Sequence, residues 1–154
     1  MNDALLRLLI ERAEDLRNEA VSGTVGARKA EDVARKTLDS LYAFRTESLG
    51  RSPAGRKDAV GIAHLQVTRH FDHKLVQAIQ AQHREHAQHS EVLQQQESVL
   101  RDRQLRLTAL QALQKRRTQQ TEAVALRREQ RALDEFATAV AARRRFAREP
   151  SNGN

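Results

Sequence analysis

The feature that most constrains this 154-residue chain is how rarely its sequence interrupts a helix. It has two prolines, Pro53 and Pro150, and three of its six glycines, Gly50, Gly55 and Gly61, lie around the first of them. Because proline breaks the interior of a helix, the long stretches on either side of this cluster can each form a continuous helix. The second stretch is about twice as long as the first, so a hairpin of the two leaves part of the second unpaired.

Composition favours long helices over a globular core. Aromatic residues make up 3% of the chain and charged residues 31%, which is typical of coiled coils. Disorder also fits high charge, but the apolar periodicity described below argues against it. The absence of cysteine excludes disulfides, thiol nucleophiles and cysteine-based zinc sites, and it suits the cytoplasm. The apolar run Ala4–Ile10 is interrupted by Arg7 and is too short for a signal peptide or membrane span.

The first stretch carries apolar residues at alternating spacings of three and four, the repeat of a coiled-coil seam. The predicted seam consists of Leu6, Leu9, Ala13, Leu16, Ala20, Gly23, Ala27, Ala30, Ala34, Thr37, Leu41, Phe44 and Ser48. Gly23 and Gly26 each cost about 1 kcal/mol relative to alanine within a helix, so we expect them to soften the helix near its middle.

The second stretch has a seam of the same spacing, which is polar in its middle. It consists of Leu65, Thr68, Asp72, Leu75, Ile79, Gln82, His86, His89, Leu93, Gln96, Leu100, Arg103, Leu107 and Leu110. After Leu113 the phase slips, and the repeat resumes at Ala123, Leu126, Gln130, Leu133, Ala137 and Val140. Such a slip often marks a change of partner.

The turn between the stretches is predicted within residues 49–58. Gly50 is placed to end the first helix, and either Ser52, with Pro53 at the first helical position, or Asp58 caps the second. We predict an all-α fold, an antiparallel two-helix coiled-coil hairpin with a longer C-terminal helix. The predicted single coiled-coil domain 1–154 comprises helix 1 at about 3–49, a turn at about 50–58, helix 2 at about 59–148 and a disordered tail at 149–154.

Pairing about residue 54 places Asp3 opposite Gln104 and leaves residues beyond about 105 without an intrachain partner. Net charge marks the same region, because residues 1–100 are neutral and residues 101–154 carry the whole net charge of +7. Length and charge therefore both predict an exposed docking element near the C-terminus.

All six histidines lie between His64 and His89, and several are three residues apart, a spacing that can bind a transition metal. No acidic residue or cysteine completes a ligand set, so a polar or pH-sensitive patch is the favoured interpretation. Arg143, Arg144 and Arg145 form a basic cluster without a nucleic-acid motif, which favours a solvated face or an acidic protein partner over nucleic acid.

Nothing in the sequence supports catalysis. The chain has no glycine-rich phosphate loop, and a two-helix hairpin offers no cleft in which to bury a substrate. We therefore predict a protein that is not an enzyme and has no cofactor, metal or small-molecule substrate.

Four segments of the chain have a familiar pattern, namely LLRLLIERAEDLRNEA at the N-terminus, LDSLYAFRTE at 38–47, FDHKLVQAIQAQHR at 71–84, and LRLTALQALQKRR followed by EQRALDEFATAVAARR. These segments resemble the FliJ family of flagellar type III export proteins. The run from Leu133 to Ala137 matches the family's C-terminal pattern. The resemblance covers most of the chain.

The resemblance implies a stalk-like coiled coil that acts with the hexameric export ATPase, the cytoplasmic domain of the export gate and export chaperones in flagellar assembly and motility. It implies a cytoplasmic protein peripherally associated with the inner-membrane apparatus. The gate contact would comprise Phe71, Leu75, Ala78, Gln82 and His83. The ATPase-facing end would comprise Asp134, Glu135, Phe136, Arg143, Arg144 and Arg145. Two alternatives stay open, the equivalent stalk of a virulence secretion system and a basic coiled-coil scaffold that binds nucleic acid or a second copy.

Overall fold

The computed structural model describes residues 2–51 and 61–148. They form two long helices packed against each other, α1 (Asp3–Gly50) and α2 (Ile62–Arg148), of 48 and 87 residues. The predicted helical hairpin is therefore confirmed. The first helix ends at Gly50, as expected, and the second begins at Ile62, after the predicted 59. The proposed caps Ser52 and Asp58 and the tail at 149–154 lie outside the described residues.

Local sequence accounts for the described helix ends. The side-chain oxygen of Asn2 accepts a hydrogen bond from the amide of Ala4 at 3.3 Å, and its carbonyl accepts one from Leu6 at 3.0 Å, so Asn2 caps α1. The acidic Asp3 lies in the first turn of α1, and Arg145 and Arg148 lie in the last turn of α2. Each charge has the sign that the helix dipole favours.

Contacts divide the chain into two compact units. One unit is Glu11–Leu107, and the other combines Met1–Ile10 with Thr108–Asn154. The two units are described separately below. Within the described residues, neither helix contains a segment hydrophobic enough to cross a bilayer.

In the unit Glu11–Leu107, the seam of α2 is the predicted one, because every predicted position from Leu65 to Leu107 is buried or half-buried. On α1, eight of the eleven positions predicted in this unit are buried or half-buried, namely 13, 16, 20, 27, 30, 34, 41 and 48, whereas 23, 37 and 44 are exposed. Positions 17, 24, 31, 38 and 45, which were not predicted, are also buried or half-buried. These additional positions include the charged residues Glu31 and Arg45, for which α2 supplies His86 and Asp72 as partners.

Contacts across the seam of this unit show that the helices run antiparallel. They join Arg45 to Asp72 at 2.9 Å, Glu31 to His86 at 2.8 Å, and the carbonyl of Leu16 to Arg103 at 2.7 Å. The pairing is therefore centred near residue 60 and not at 54 as predicted, in keeping with the late start of α2.

In the unit formed by Met1–Ile10 and Thr108–Asn154, Leu6 and Ile10 are buried, and the half-buried residues of α2 are Leu110, Gln114, Arg117 and Val140. Asp3 lies 3.4 Å from Arg117, so its predicted position opposite Gln104 is wrong. Intrachain pairing reaches about twelve residues beyond the predicted limit of 105. Residues 118–148, which we call the extension, continue α2 beyond the contact of Asp3 with Arg117.

Gly23 and Gly26 lie within α1, which runs through both without a positive φ angle. A Cβ atom at Gly26 would have no atom within 4 Å, whereas one at Gly23 would lie 2.8 Å from the side-chain oxygen of Gln96. We expect Gly26→Ala to raise the free energy of unfolding by about 0.5–1 kcal/mol through helix propensity alone. Gly23→Ala should raise the free energy of unfolding by less, because the side chain of Gln96 must move to make room for the new methyl group. Urea denaturation followed by circular dichroism measures both, and an equal gain would contradict the close approach at Gly23.

Candidate partner-binding surfaces

The polar residues of the seam are engaged between the helices of the unit Glu11–Leu107. The Thr24 hydroxyl lies 2.8 Å from the carbonyl oxygen of Ala20 and 3.3 Å from that of Gln96. The carboxylate of Glu31 lies 2.8 Å from Nε2 of His86. Such contacts fix the register of a coiled coil at a cost in stability, and they leave these side chains unsuited to bind a partner.

The pair Arg45–Asp72 is half-buried near the turn-facing ends of the helices. Hydrogen bonds from Arg45 to both carboxylate oxygens, at 2.9 and 3.3 Å, lower the pKa of Asp72, and the pKa of Arg45 is raised by the same partner. Because the folded state lowers this carboxyl pKa, the pair stabilises the protein above the unfolded pKa of about 3.9 and loses that effect as the pH falls further.

We therefore expect Asp72→Asn to be less stable than the parent protein at neutral pH and to approach it as the pH falls through the lowered pKa of Asp72. Asp39→Asn, at an exposed position of α1, serves as the control. Thermal unfolding across this pH range measures the difference. A difference between Asp72→Asn and the parent that persists unchanged into acid would show that the ion pair does not supply the stability.

Of the five residues implied to contact the gate, two face α1. Leu75 is only 8% exposed and packs in a cluster with Leu38 and Ile79. Gln82 is half-buried and its side-chain amide donates to the carbonyl of Ala34 at 3.2 Å. The structure thus places Leu75 and Gln82 in the packing between the helices.

The other three, Phe71, Ala78 and His83, are exposed on α2. Phe71 is 46% exposed and meets the ring of Phe44 edge-on, with centroids 6.1 Å apart. His83 lies 2.6 Å from the hydroxyl of Tyr42. Of these three residues, Phe71 and His83 therefore each contact an aromatic side chain of α1.

The sequence did not predict which residues of α1 lie beside Phe71 and His83 on the protein surface. Leu49 and Val67 are also exposed, and they line a shallow groove with Phe71 and Ser48. Phe44 had been placed in the seam, where Arg45 lies instead. The two aromatic residues of the segment LDSLYAFRTE, Tyr42 and Phe44, could have indicated a surface in the sequence. Only the structure shows that both are exposed. We call Phe44, Leu49, Val67 and Phe71 the turn-end patch.

The extension is the largest exposed surface of its unit. Every residue from 118 to 148 is exposed apart from the half-buried Val140. It includes all residues implied to face the ATPase, Asp134, Glu135, Phe136 and Arg143 to Arg145. Phe136 is 69% exposed, Leu133 68% and Leu126 56%, which is far from the usual state of such large apolar side chains.

The apolar side chains of the extension lie on a different face of α2 from the seam of the same unit. At about 100° per residue, Leu126, Leu133 and Ala137 are rotated by roughly 150° from Leu110, Gln114 and Arg117. The predicted slip in phase therefore corresponds to a real change of face. We call the positions Ala123, Leu126, Gln130, Leu133, Ala137 and Val140 the extension stripe.

The charge of the chain is less concentrated on unpaired residues than predicted. Residues 118–148 contain seven arginines and four acidic residues, a net charge of +3, whereas residues 101–117 carry a net charge of +5. Since pairing reaches Arg117, most of the positive charge lies beside the paired helices. The extension is a mixed-charge helix with basic groups at 127–131 and 143–148.

The histidines take part in contacts within the protein. His86 faces Glu31, His83 faces Tyr42, and His89 lies 3.8 Å from Glu85. Across residues 2–51 and 61–148, no three acidic or histidine side chains converge as metal ligands would. These contacts favour the interpretation of the histidines as polar elements of the helix packing.

Comparison with known proteins supports the resemblance seen in the sequence. Residues 3–146 match the model of the family described as flagellar FliJ protein. Searches of curated proteins and of solved structures found no match. The match includes both helices, the turn-end patch and nearly all of the extension. The family consists of non-catalytic components of the flagellar export apparatus. The chain belongs to the flagellar FliJ protein family.

Proposed function

We propose that this protein is a non-enzymatic stalk of the flagellar type III export apparatus that binds the hexameric export ATPase through its extension. The observation that carries the proposal is the exposure of the extension, whose stripe of Leu126, Leu133 and Val140 does not face α1. Membership of the FliJ family supplies the apparatus in which such a helix would act.

A single helix is suited to the centre of a ring. The extension is about 45 Å long at about 1.5 Å per residue, with arginines on several faces and the apolar residues on one. A ring offers several equivalent surfaces to this one asymmetric helix. Exposed charges make weak, screened contacts, so the helix could engage successive subunits without locking onto one. Asp134, Glu135, Phe136 and Arg143 to Arg145 are the proposed contacts.

We further propose that the unit Glu11–Leu107 binds the cytoplasmic domain of the export gate. Phe71, Ala78 and His83 are the proposed contact residues because their side chains are exposed. Leu75 and Gln82 would act indirectly, by holding α2 against α1. This division of roles replaces the single contact set implied by the resemblance. Binding of export chaperones and a peripheral position at the inner membrane belong to the same proposal.

Co-purification with the export ATPase tests the proposal. We expect the full chain to be retained by the assembled hexamer and a chain ending after residue 117 to be lost from it. Circular dichroism and thermal unfolding of the shortened chain are the control for folding of the rest. Equal retention of both chains by the ATPase would overturn the assignment of the extension.

A further inference from the structure

The extension stripe has the pattern of a coiled-coil seam that lacks its second helix. Its six positions alternate in spacing by three and four, and its large residues, Leu126 and Leu133, are more than half exposed. Because the stripe is rotated away from the α1-facing residues of its own unit, α1 does not cover it. If the extension stripe is to be covered, the helix that covers it must come from another molecule.

We propose that the extensions of two copies of this chain pair as an antiparallel coiled coil. In the register that we propose, Leu126 packs against the partner's Ala137, and Ala123 packs against the partner's Val140. Gln130 lies beside the partner's Leu133 at the centre. Each outer layer thus joins a large side chain to an alanine, which lets the two helices approach closely.

The charges beside the stripe fit the same register. In an antiparallel coiled coil, the positions that flank the seam face the equivalent flanking positions of the other helix. Glu122 then faces the partner's Arg143, and Arg127 faces the partner's Asp134. Twofold symmetry repeats both pairs, so the interface contains four attractive contacts between opposite charges.

Neighbouring arrangements bring like charges together. A shift by one heptad in one direction places Arg127 beside the partner's Arg127. A shift in the other direction places Asp134 beside the partner's Asp134. Although this second shift pairs Glu129 with the partner's Arg143, it sets Leu126 against the partner's Arg144. A parallel pair would place Glu122 beside the partner's Arg127, an attractive contact, but it would also place Glu129 beside the partner's Asp134 and Arg143 beside the partner's Arg148. Like charges at these positions disfavour the wrong register and orientation.

Self-pairing uses the same residues as the proposed contact with the ATPase, so one chain cannot do both at once. The paired state would cover the apolar stripe while the protein is free, and the ATPase would compete with the second copy. The self-pairing depends on this chain alone, so it stands or falls independently of the ATPase assignment.

Disulfide trapping tests the register, because the chain has no native cysteine. A mixture of the full-length variants Ala123→Cys and Val140→Cys should cross-link under mild oxidation. Each variant alone should not, because the two copies of either residue would lie about 25 Å apart. Cross-linking of Ala123→Cys with itself would indicate a parallel pair and overturn the proposal. Failure of the mixture to cross-link at concentrations of tens of micromolar would also overturn it.

Charge reversal tests the same interface without cysteine. By light scattering, we expect a micromolar dimer whose association is weakened roughly tenfold by Glu122→Arg and by Arg143→Glu. The double variant with both changes should recover most of the affinity, because the pair is restored with its signs exchanged. A parent protein that stays monomeric, or a double variant weaker than both single ones, would contradict the proposed pairing.

Discussion

Replacing Leu75 by alanine is expected to lower the free energy of unfolding by about 2–3 kcal/mol. Leu75 is buried in the cluster with Leu38 and Ile79, and truncation would leave a cavity between the two helices. Phe71→Ala should cost about 1 kcal/mol or less, because the half-exposed ring loses little beyond its edge-on contact with Phe44. Urea denaturation followed by circular dichroism measures both changes.

The order of the two effects should reverse for binding to the gate, where we expect Phe71→Ala to matter more than Leu75→Ala. At a temperature where both variants are folded, Phe71→Ala should weaken binding to the cytoplasmic domain of the gate by roughly tenfold, and Leu75→Ala should change it little. Val33→Ala, exposed on α1 outside the turn-end patch, is the control. A folded Leu75→Ala that loses gate binding as strongly as Phe71→Ala would show that Leu75 contacts the partner directly.

Among single substitutions, placing a charge in the extension stripe is expected to have the largest effect on ATPase binding. Leu133→Asp should weaken binding by roughly tenfold or more, about 1.4 kcal/mol, because a carboxylate would replace the central apolar side chain of the stripe. Val33→Asp is the matched control, because Val33 is an aliphatic residue of α1 that is also more than half exposed. Affinity measured against the assembled hexamer distinguishes them.

The unfolding temperature provides the second control for this change. Leu133 is exposed within its unit, so Leu133→Asp should leave the unfolding temperature nearly unchanged at protein concentrations too low for self-pairing. Parent-like ATPase binding by Leu133→Asp would mean that the apolar stripe does not contact the ring, whatever the role of the surrounding arginines.

The sequence was sufficient to predict the two helices and the seam of α2, because the repeat of α2 is carried by leucines and a few long polar residues over many heptads. It was insufficient for part of the α1 seam. There the repeat pointed to Leu9, Thr37 and Phe44, which are exposed, whereas their neighbours Ile10, Leu38 and Arg45 are buried or half-buried. Apolarity alone misplaced these positions because the partner helix carries groups such as Asp72 that satisfy polar residues within the seam.

The site was predictable in location but not in detail. The slip in phase after Leu113 is visible in the sequence, and it marked the stretch whose apolar face turns away from α1. The end of intrachain pairing was missed because it depends on where α2 starts, a feature set by the turn and not by the repeat. The exposure of Phe71 and the burial of Leu75 likewise depend on the register of the two helices.

Site-directed cross-linking to the export ATPase tests the central claim most directly, because the chain contains no cysteine and any position can carry the only one. We predict that Leu133→Cys, in the extension, cross-links to the assembled hexamer and that Leu49→Cys, in the turn-end patch, does not. Cross-linking of Leu49→Cys in place of Leu133→Cys would contradict the account, because it would place the turn and not the extension against the ATPase.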